Sequence, residues 1–352
     1  MAAEAATGVI TVDGSHGEGG GQIVRMAVAL SALTSTSVRI VNVRAKRKNP
    51  GLAAQHATSI LAVARMCDAR TEGVAVGSRT VEFHPGPLRG GSFSLDVGTA
   101  GSVTLVLQAC LPPAFAVGNV ELTIRGGTDV PWSPPLDYFG HVFLGLLQRM
   151  GARAEVDVAM RGYYPRGGGL VRVTIRDPPA WKPLRVPERG DLDRIAGRAH
   201  ASNLPPDVVT RMKSAALKRL SGFMDVRVHG ETLGPDRAVG PGGAIVLWAE
   251  TPATILGADA LAERGKRAEK VGDEAATELL TEIESGSTLD VHAADQVLAY
   301  AALASGPSDF LVREVTEHTR TMMWLLGSFL GTQFETAPQG GLHEISVRPA
   351  SR

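Results

Sequence analysis

The stretch TVDGSHGEGGGQIVRMAVALSAL, Thr11 to Leu33, followed by VRIVNV, Val38 to Val43, reads as a short strand, a turn of small residues, a helix and a second strand. The same order recurs twice. SLDVG (Ser94 to Gly98) leads through SVTLVLQACL to VELTIRGG, and TLDVH (Thr288 to His292) leads through ADQVLAYAALA to DFLVREV. In each copy an aspartate, Asp13, Asp96 or Asp290, stands near the end of the first strand. The second strand follows roughly 20 to 26 residues later, the length of one strand-helix-strand crossover. The period is too irregular for a solenoid, so the pattern implies three copies of an α/β unit around a common centre. LAAQHATSILAVARM, Leu52 to Met66, and YFGHVFLGLLQRM, Tyr138 to Met150, carry apolar residues at helical steps and fill the space between copies.

A stretch of different texture separates the second and third copies. It opens near Pro183 and Pro187 and ends in a Gly/Ser turn at Gly286. Within it VVTRMKSAALKRL reads as a helix, AIVLWAE as a strand, and the run from Asp273 to Glu284 as a second helix. The expectation is a large domain made of residues 1–182 and 287–352, with a small α/β domain of residues 183–286 inserted in it. Lys213, Lys218 and Arg219 in the insert read more readily as a solvated helix face than as a nucleic-acid contact.

A chain of 352 residues with 44% hydrophobic content can bury a large core. Lys plus Arg and Asp plus Glu both number 36, so no global basic field exists and any nucleic-acid contact must be local. Cys67 and Cys110 lack CxxC spacing and sit in apolar runs, as buried thiols of a reducing compartment do. MAAEAATG at the start lacks the features of a signal peptide, and no apolar stretch is long enough to cross a bilayer. A cytoplasmic protein with no membrane partner is expected.

The glycines of GSHGEGGGQIVR, Gly14 to Arg25, free the backbone to approach a ligand where a helix begins, and helix-start N–H groups suit a phosphate. Glu18 inside that loop would repel a phosphate unless a divalent cation lay between them, which suggests a metal-bridged nucleotide or a general base. A tight turn with a solvated glutamate fits the same residues equally. RAKRKNPGLAAQH brings Arg44, Lys46, Arg47 and Lys48 directly after a strand, one crossover from Arg25. The arginine fork suits phosphate, although an isolated basic loop is more often only solvated. GGTDVPWSPPLDYF, Gly126 to Phe139, is a rigid loop whose Trp132 could face a base or simply end the strand. Late in the chain His318 stands at a strand-to-helix junction beside Arg320, where a neutral imidazole could attack phosphorus and where a plain cap is also common. No Walker A string, HExxH or Rossmann GxGxxG occurs.

Taken in order, GSHGEGGGQIVR, RAKRKNPGLAAQH, GTAGSVTLVLQ, GGTDVPWSPPLDY, GYYPRGGG, the ADQ at Ala294 to Gln296 and the late His318 resemble the RNA 3'-terminal phosphate cyclase family over essentially the whole chain, the insert least. The resemblance implies a mixed α/β (α+β) fold of three βαβαββ-type repeats, akin to the enolpyruvyl transferase architecture, with a smaller α/β insert. It also implies an ATP-dependent enzyme that turns an RNA 3'-phosphate into a 2',3'-cyclic phosphate through a histidine-AMP intermediate and an adenylated RNA end, with Mg2+ or Mn2+ as metal. Carried over by position, His318 is the nucleophile and Glu18 the metal-facing carboxylate. Arg25, Arg44, Arg47 and Gln55 surround the phosphates and the RNA end, and Gln108, Pro131, His292, Ala293, Ala294, Asp295 and Gln296 form the nucleotide pocket. His292 departs from the tyrosine common in the family, and Lys48 and Asn49 depart from its usual loop. The alternatives are a cyclase-like ribosomal RNA processing factor without the histidine, which the presence of His318 opposes, and an enolpyruvyl transferase, which the GEGGGQ loop and the single insert fit poorly.

Overall fold

The computed structural model describes residues 8–350, so the leader reading of MAAEAATG falls, Gly8 excepted, outside the described residues. Three sheets share one plan. The first unit comprises β1 (Ile10–Asp13), α1 (Gly21–Thr34), β2 (Val38–Val41), α2 (Ala54–Cys67), β3 (Arg70–Glu72) and β4 (Val81–His84). The second comprises β5 (Gly91–Asp96), α3 (Val103–Val117), β6 (Val120–Gly126), a helical segment built from α4 (Leu136–Tyr138), a π turn (Phe139–Phe143) and α5 (Leu144–Arg149), then β7 (Glu155–Gly162) and β8 (Gly169–Ile175). The third opens with β9 (Arg185–Val186). There the chain leaves for β10 (Arg194–Ser202), α6 (Asp207–Arg219), β11 (Val226–Leu233), β12 (Ala238–Val239), β13 (Gly242–Glu250), β14 (Ile255–Leu261) and α7 (Ala268–Ser285). It returns as α8 (Val291–Ala301), β15 (Ser308–Val312), α9 (Glu317–Leu330), β16 (Gln333–Gln339) and β17 (Leu342–Arg348).

In every unit the first strand runs parallel to the second, and the fourth inserts antiparallel between the second and the third: β1-β2-β4-β3, β5-β6-β8-β7 and β9-β15-β17-β16. This is the expected βαβαββ-type repeat. The third copy does not begin where its sequence suggested. TLDVH is no strand: Asp290 caps α8, its carboxylate accepting from His292 N at 3.0 Å and Ala293 N at 2.9 Å. An aspartate at a helix start satisfies orphan N–H groups and outweighs the β preference of the neighbouring Val291. The true first strand, Arg185–Val186, is two residues long and lies before the inserted stretch.

The helices of the three units face one another, with α1 packed on α2, α3 and α9, and α8 on α9. Their apolar faces form one continuous core that includes Ile23, Val63, Leu107, Phe143, Tyr300 and Leu325. A separate core lies under the sheet β11-β10-β13-β14, which α6 and α7 cover with Met212, Ala216, Ala275 and Leu279. Cys67 and Cys110 are buried free thiols. Among the described residues no helix is long and apolar enough to cross a membrane.

Candidate active site

The glycine loop between β1 and α1 meets the start of α9. Thr316 caps α9 with its hydroxyl on Thr319 N, which places His318 in the first turn of the helix. The loop is pressed onto α9 at two points. His16 stacks on Trp324 with ring centroids 3.8 Å apart. Gly17 lies at φ +53°, and a Cβ there would meet the Thr321 hydroxyl, so left-handed backbone and close approach both call for glycine. Gly21, the first residue of α1, sits directly against the buried His56 ring, with no room for a side chain. His56 Nδ1 accepts from Ala53 N at 3.0 Å, so the neutral ring carries its proton on Nε2. Burial, helped by Arg25 and Arg44, pulls its pKa down to about 3.

These contacts bring Glu18 and Gln22 to His318. His318 Nδ1 lies 2.7 Å from Glu18 Oε2 and 3.1 Å from Gln22 Oε1. Gln22 Nε2 donates to Asp295 Oδ2 at 2.6 Å, which fixes the amide with its oxygen toward His318. Gln22 Oε1 is therefore the acceptor of the Nδ1 proton and the lone pair is on Nε2, while Glu18 Oε2 faces Nδ1 as a charge without a hydrogen bond of its own. Burial, with Arg25 and Arg47 adding to it, holds the His318 pKa below the ordinary histidine value despite the opposing Asp295. The imidazole is neutral near pH 7 and half-exposed, a state in which a ring nitrogen can act as a nucleophile. Burial also raises Asp295 to about 6, with His318, His292, Gln22 and Arg25 opposing.

A small cavity beside His318 is lined by Gln22, Arg25, Gln108, Asp295, Gln296 and Tyr300. Arg25 is 8% exposed, and burial brings its guanidinium down to about 10, against Asp295. It remains a cation at neutral pH. Arg47 pairs with Glu18, and Lys46 Nζ donates to Gly17 O at 3.0 Å, so the basic loop after β2 closes over the glycine loop. Arg44 instead donates to Gly51 O at 2.7 Å, bracing its own loop. Gln55 Oε1 accepts from Ser102 N at 3.0 Å and ties α2 to the turn before α3. Ala293 and Ala294 are wholly buried, so they offer backbone and shape rather than side-chain contacts. His292 is exposed at the start of α8, and Pro131 is partly buried in the loop after β6; neither lines the small cavity.

Gln22 and His56 were not singled out from sequence. Gln22 stands in the quoted GGGQ and His56 beside Gln55, but only the fold shows that one bridges Asp295 to His318 and the other supports Gly21.

Two places have carboxylates disposed for a cation. Asp129, Asp137 and His200 are buried with ligand atoms within 4.8 Å of one another. Arg161 already fills that cluster, its Nη1 3.1 Å from Asp129 Oδ2 and its Nη2 2.7 Å from Asp137 Oδ2. Burial works against both carboxylates, yet the charges and hydrogen bonds of Arg161 and His200 hold them below the usual range. The guanidinium supplies the charge that a metal would, and the cluster joins the second unit to β10. At the other place Glu18 has one oxygen on Arg47 and the other, Oε2, facing His318 without a hydrogen-bond partner. Mg2+ typically takes one or two carboxylates plus phosphate oxygens and water, and the unpartnered Oε2 of Glu18 fits that donor set.

The fold and this site define a three-repeat α/β protein in which His318, Glu18, Gln22 and Asp295 are brought together. The chain belongs to the RNA 3'-terminal phosphate cyclase family. A family model with the description RNA 3'-terminal phosphate cyclase matches residues 16–336. Proteins named RNA 3'-terminal phosphate cyclase are similar along their length: one from Nitrosospira multiformis is 52% identical, with 96% of each chain covered. One from Methanopyrus kandleri is 46% identical over 97% of this chain and 99% of its own, and one from Thermococcus onnurineus is 47% identical over 95% and 97%.

Proposed function

We propose that this chain uses ATP to convert an RNA 3'-phosphate into a 2',3'-cyclic phosphate, with His318 as the nucleophile. The observation that carries the reading is the tautomer of His318: Gln22 Oε1 accepts at Nδ1 with the Glu18 carboxylate beside it, which leaves Nε2 free to attack. Nε2 attacks the α-phosphorus of ATP and pyrophosphate leaves, giving a phosphoramidate. As the ring becomes cationic, the Nδ1 proton stays hydrogen-bonded to Gln22 Oε1, where the developing charge strengthens that hydrogen bond and the attraction to the Glu18 carboxylate. An RNA 3'-phosphate oxygen then takes the AMP from Nε2. Finally the neighbouring 2'-hydroxyl attacks the RNA phosphorus and AMP leaves. A phosphate monoester dianion is a poor electrophile, and adenylation supplies its leaving group, while the vicinal hydroxyl is already held near attack geometry.

In this reading Arg25, Arg44, Arg47 and Gln55 neutralise and orient the phosphates and the RNA end. Gln108, Pro131 and the His292 to Gln296 stretch border the nucleotide. Glu18 would hold Mg2+ or Mn2+, which when bound supplies charge neutralisation at the phosphates. We also read the stretch between β9 and α8 as an inserted domain, which begins later than the residue 183 expected from sequence because Arg185–Val186 pair with β15 in the large domain, and the cytoplasm as the place of action. A purely non-catalytic role is disfavoured by a histidine so fully arranged for attack. Incubation with α-phosphate-labelled ATP tests the assignment. Acid-labile label on the parent and none on a folded His318→Ala variant is the expected result, and label on that variant would move the nucleophile elsewhere.

A further inference from the structure

The sequence contains four tryptophans and four tyrosines. Three of each are packed away: Trp181 against Tyr300, Trp248 against His141, Trp324 against His16, with Tyr138, Tyr163 and Tyr300 buried. The remaining two, Trp132 at 97% exposure and Tyr164 at 68%, are the exposed aromatics among the described large hydrophobics. They are neighbours in the fold. Asp129 and Tyr163 form a parallel bridge, so the loops that carry Trp132 and Tyr164 leave the same end of the second sheet side by side.

The Trp132 loop is stiff. Ser133 Oγ donates to Val130 O at 2.9 Å, Thr104 Oγ1 to Pro134 O at 2.8 Å and Leu136 N to Thr128 O at 3.1 Å. Trp132 itself lies at φ +63°, a conformation costly for a bulky residue, and residues so held cluster at functional sites. A rigid loop thus displays a large apolar ring to water, which gains nothing for stability. Arg166, two residues after Tyr164, is a further exposed cation on the same loop, its stem against Gly240.

The position points to an occupant. The turn from Thr99 to Ser102 is sandwiched between this loop pair and α2. A Cβ on Gly167 would lie 2.6 Å from Thr99 O, and one on Gly101 would lie 3.0 Å from Gln55 Cβ. The loops that carry the two aromatics are therefore one turn away from Gln55, the residue that the cyclase reading assigns to the RNA end. Aromatic rings with an adjacent cation are how proteins hold successive bases of a single strand without reading sequence. Resting on the cyclase reading, we propose that Trp132, Tyr164 and Arg166 form a stacking platform for the unpaired RNA nucleotides that precede the terminal phosphate.

The test compares a dinucleotide bearing a 3'-phosphate with an eight-nucleotide RNA having the same end. The parent should show a lower KM for the longer RNA. Tyr164→Ala and Trp132→Ala should each raise that KM by roughly tenfold, as loss of one base stack does. Tyr164→Ala should leave the dinucleotide KM and RNA-free labelling by ATP unchanged, and Trp132→Phe should retain most of the parent behaviour. Equal KM values for both lengths in the parent, or equal losses on both RNAs, would overturn the platform. So would a Trp132→Ala variant that binds ATP more weakly and the octamer normally, because the ring would then belong to the nucleotide pocket. Anisotropy of a labelled octamer without ATP separates this proposal from the reaction itself. If no RNA is cyclised, the functional reading fails, yet weaker octamer binding by the two alanine variants still supports the platform and unchanged binding sinks it.

Discussion

Replacing Gln22 with methionine keeps the length of the side chain and removes both of its polar contacts. His318 Nδ1 loses an acceptor at 3.1 Å, and Asp295 loses a donor at 2.6 Å. The Glu18 carboxylate still lies 2.7 Å from Nδ1 and favours the proton there, so the tautomer survives. The loss falls on the transition state, where the ring becomes cationic and the Gln22 contact becomes charge-assisted. A hydrogen bond to a charged group contributes about 1.5–3 kcal/mol. At about 1.4 kcal/mol per tenfold, the rate of histidine adenylylation should fall roughly 10- to 150-fold. Asp295, deprived of a contact that favours its ionised form, should ionise at a pH above its present value of about 6. The assay is single-turnover labelling by α-phosphate-labelled ATP across pH 5 to about 8, the range in which histidine charge changes. Gln22→Met should be slower throughout and show its rise displaced to higher pH. A rate within about twofold of the parent and an unmoved profile would refute the view that Gln22 couples Asp295 to the nucleophile, since about 0.4 kcal/mol is too little for that contact.

Further outcomes follow from the packing. Arg161→Met strands Asp129, Asp137 and His200 in the interior, and breaking a buried pair costs about 3–5 kcal/mol. With an unfolding entropy of about 2.1 cal/mol/K per residue, that lowers the melting temperature by about 4–7 °C if the chain melts as one unit; scanning calorimetry would show it. Gly21→Ala should destabilise by about 1–3 kcal/mol because its Cβ enters the His56 ring, and adding His56→Ala should recover part of the loss in denaturant titrations. Asp295 has its folded pKa raised by burial, so the folded chain holds the extra proton and stability falls as pH rises from about 4 to 6. Asp295→Asn should therefore melt higher than the parent at pH 8 and no higher at pH 4, and a pH-independent difference would count against that linkage.

The fold was legible where local chemistry and tertiary order agree. The glycine loop at Gly14 to Gly21 announces a strand-to-helix turn, and the apolar steps of Ala54–Cys67 announce a helix, because each is set by neighbours in sequence. The third repeat misled for the converse reason. Its first strand is two residues long, fixed by pairing with Phe310 and Asp309 across the inserted stretch, and carries no periodicity of its own. In the meantime TLDV has β-branched residues that look strand-like, while Asp290 is engaged by Tyr138 at 2.6 Å and Gly257 at 2.8 Å, partners far away in sequence. The site divides in the same way. His318, Glu18 and the arginines advertise charge, whereas Gln22 and His56 act by holding others in place, a role visible only once α1, α2 and α9 are packed together.

The most direct measurement uses a short RNA with a 3'-phosphate, ATP and Mg2+ or Mn2+, followed by phosphatase. The terminal phosphate should become phosphatase-resistant only when ATP is present and His318 is intact. A phosphate that stays phosphatase-sensitive under those conditions, with no AMP on the protein, would contradict the proposed reaction.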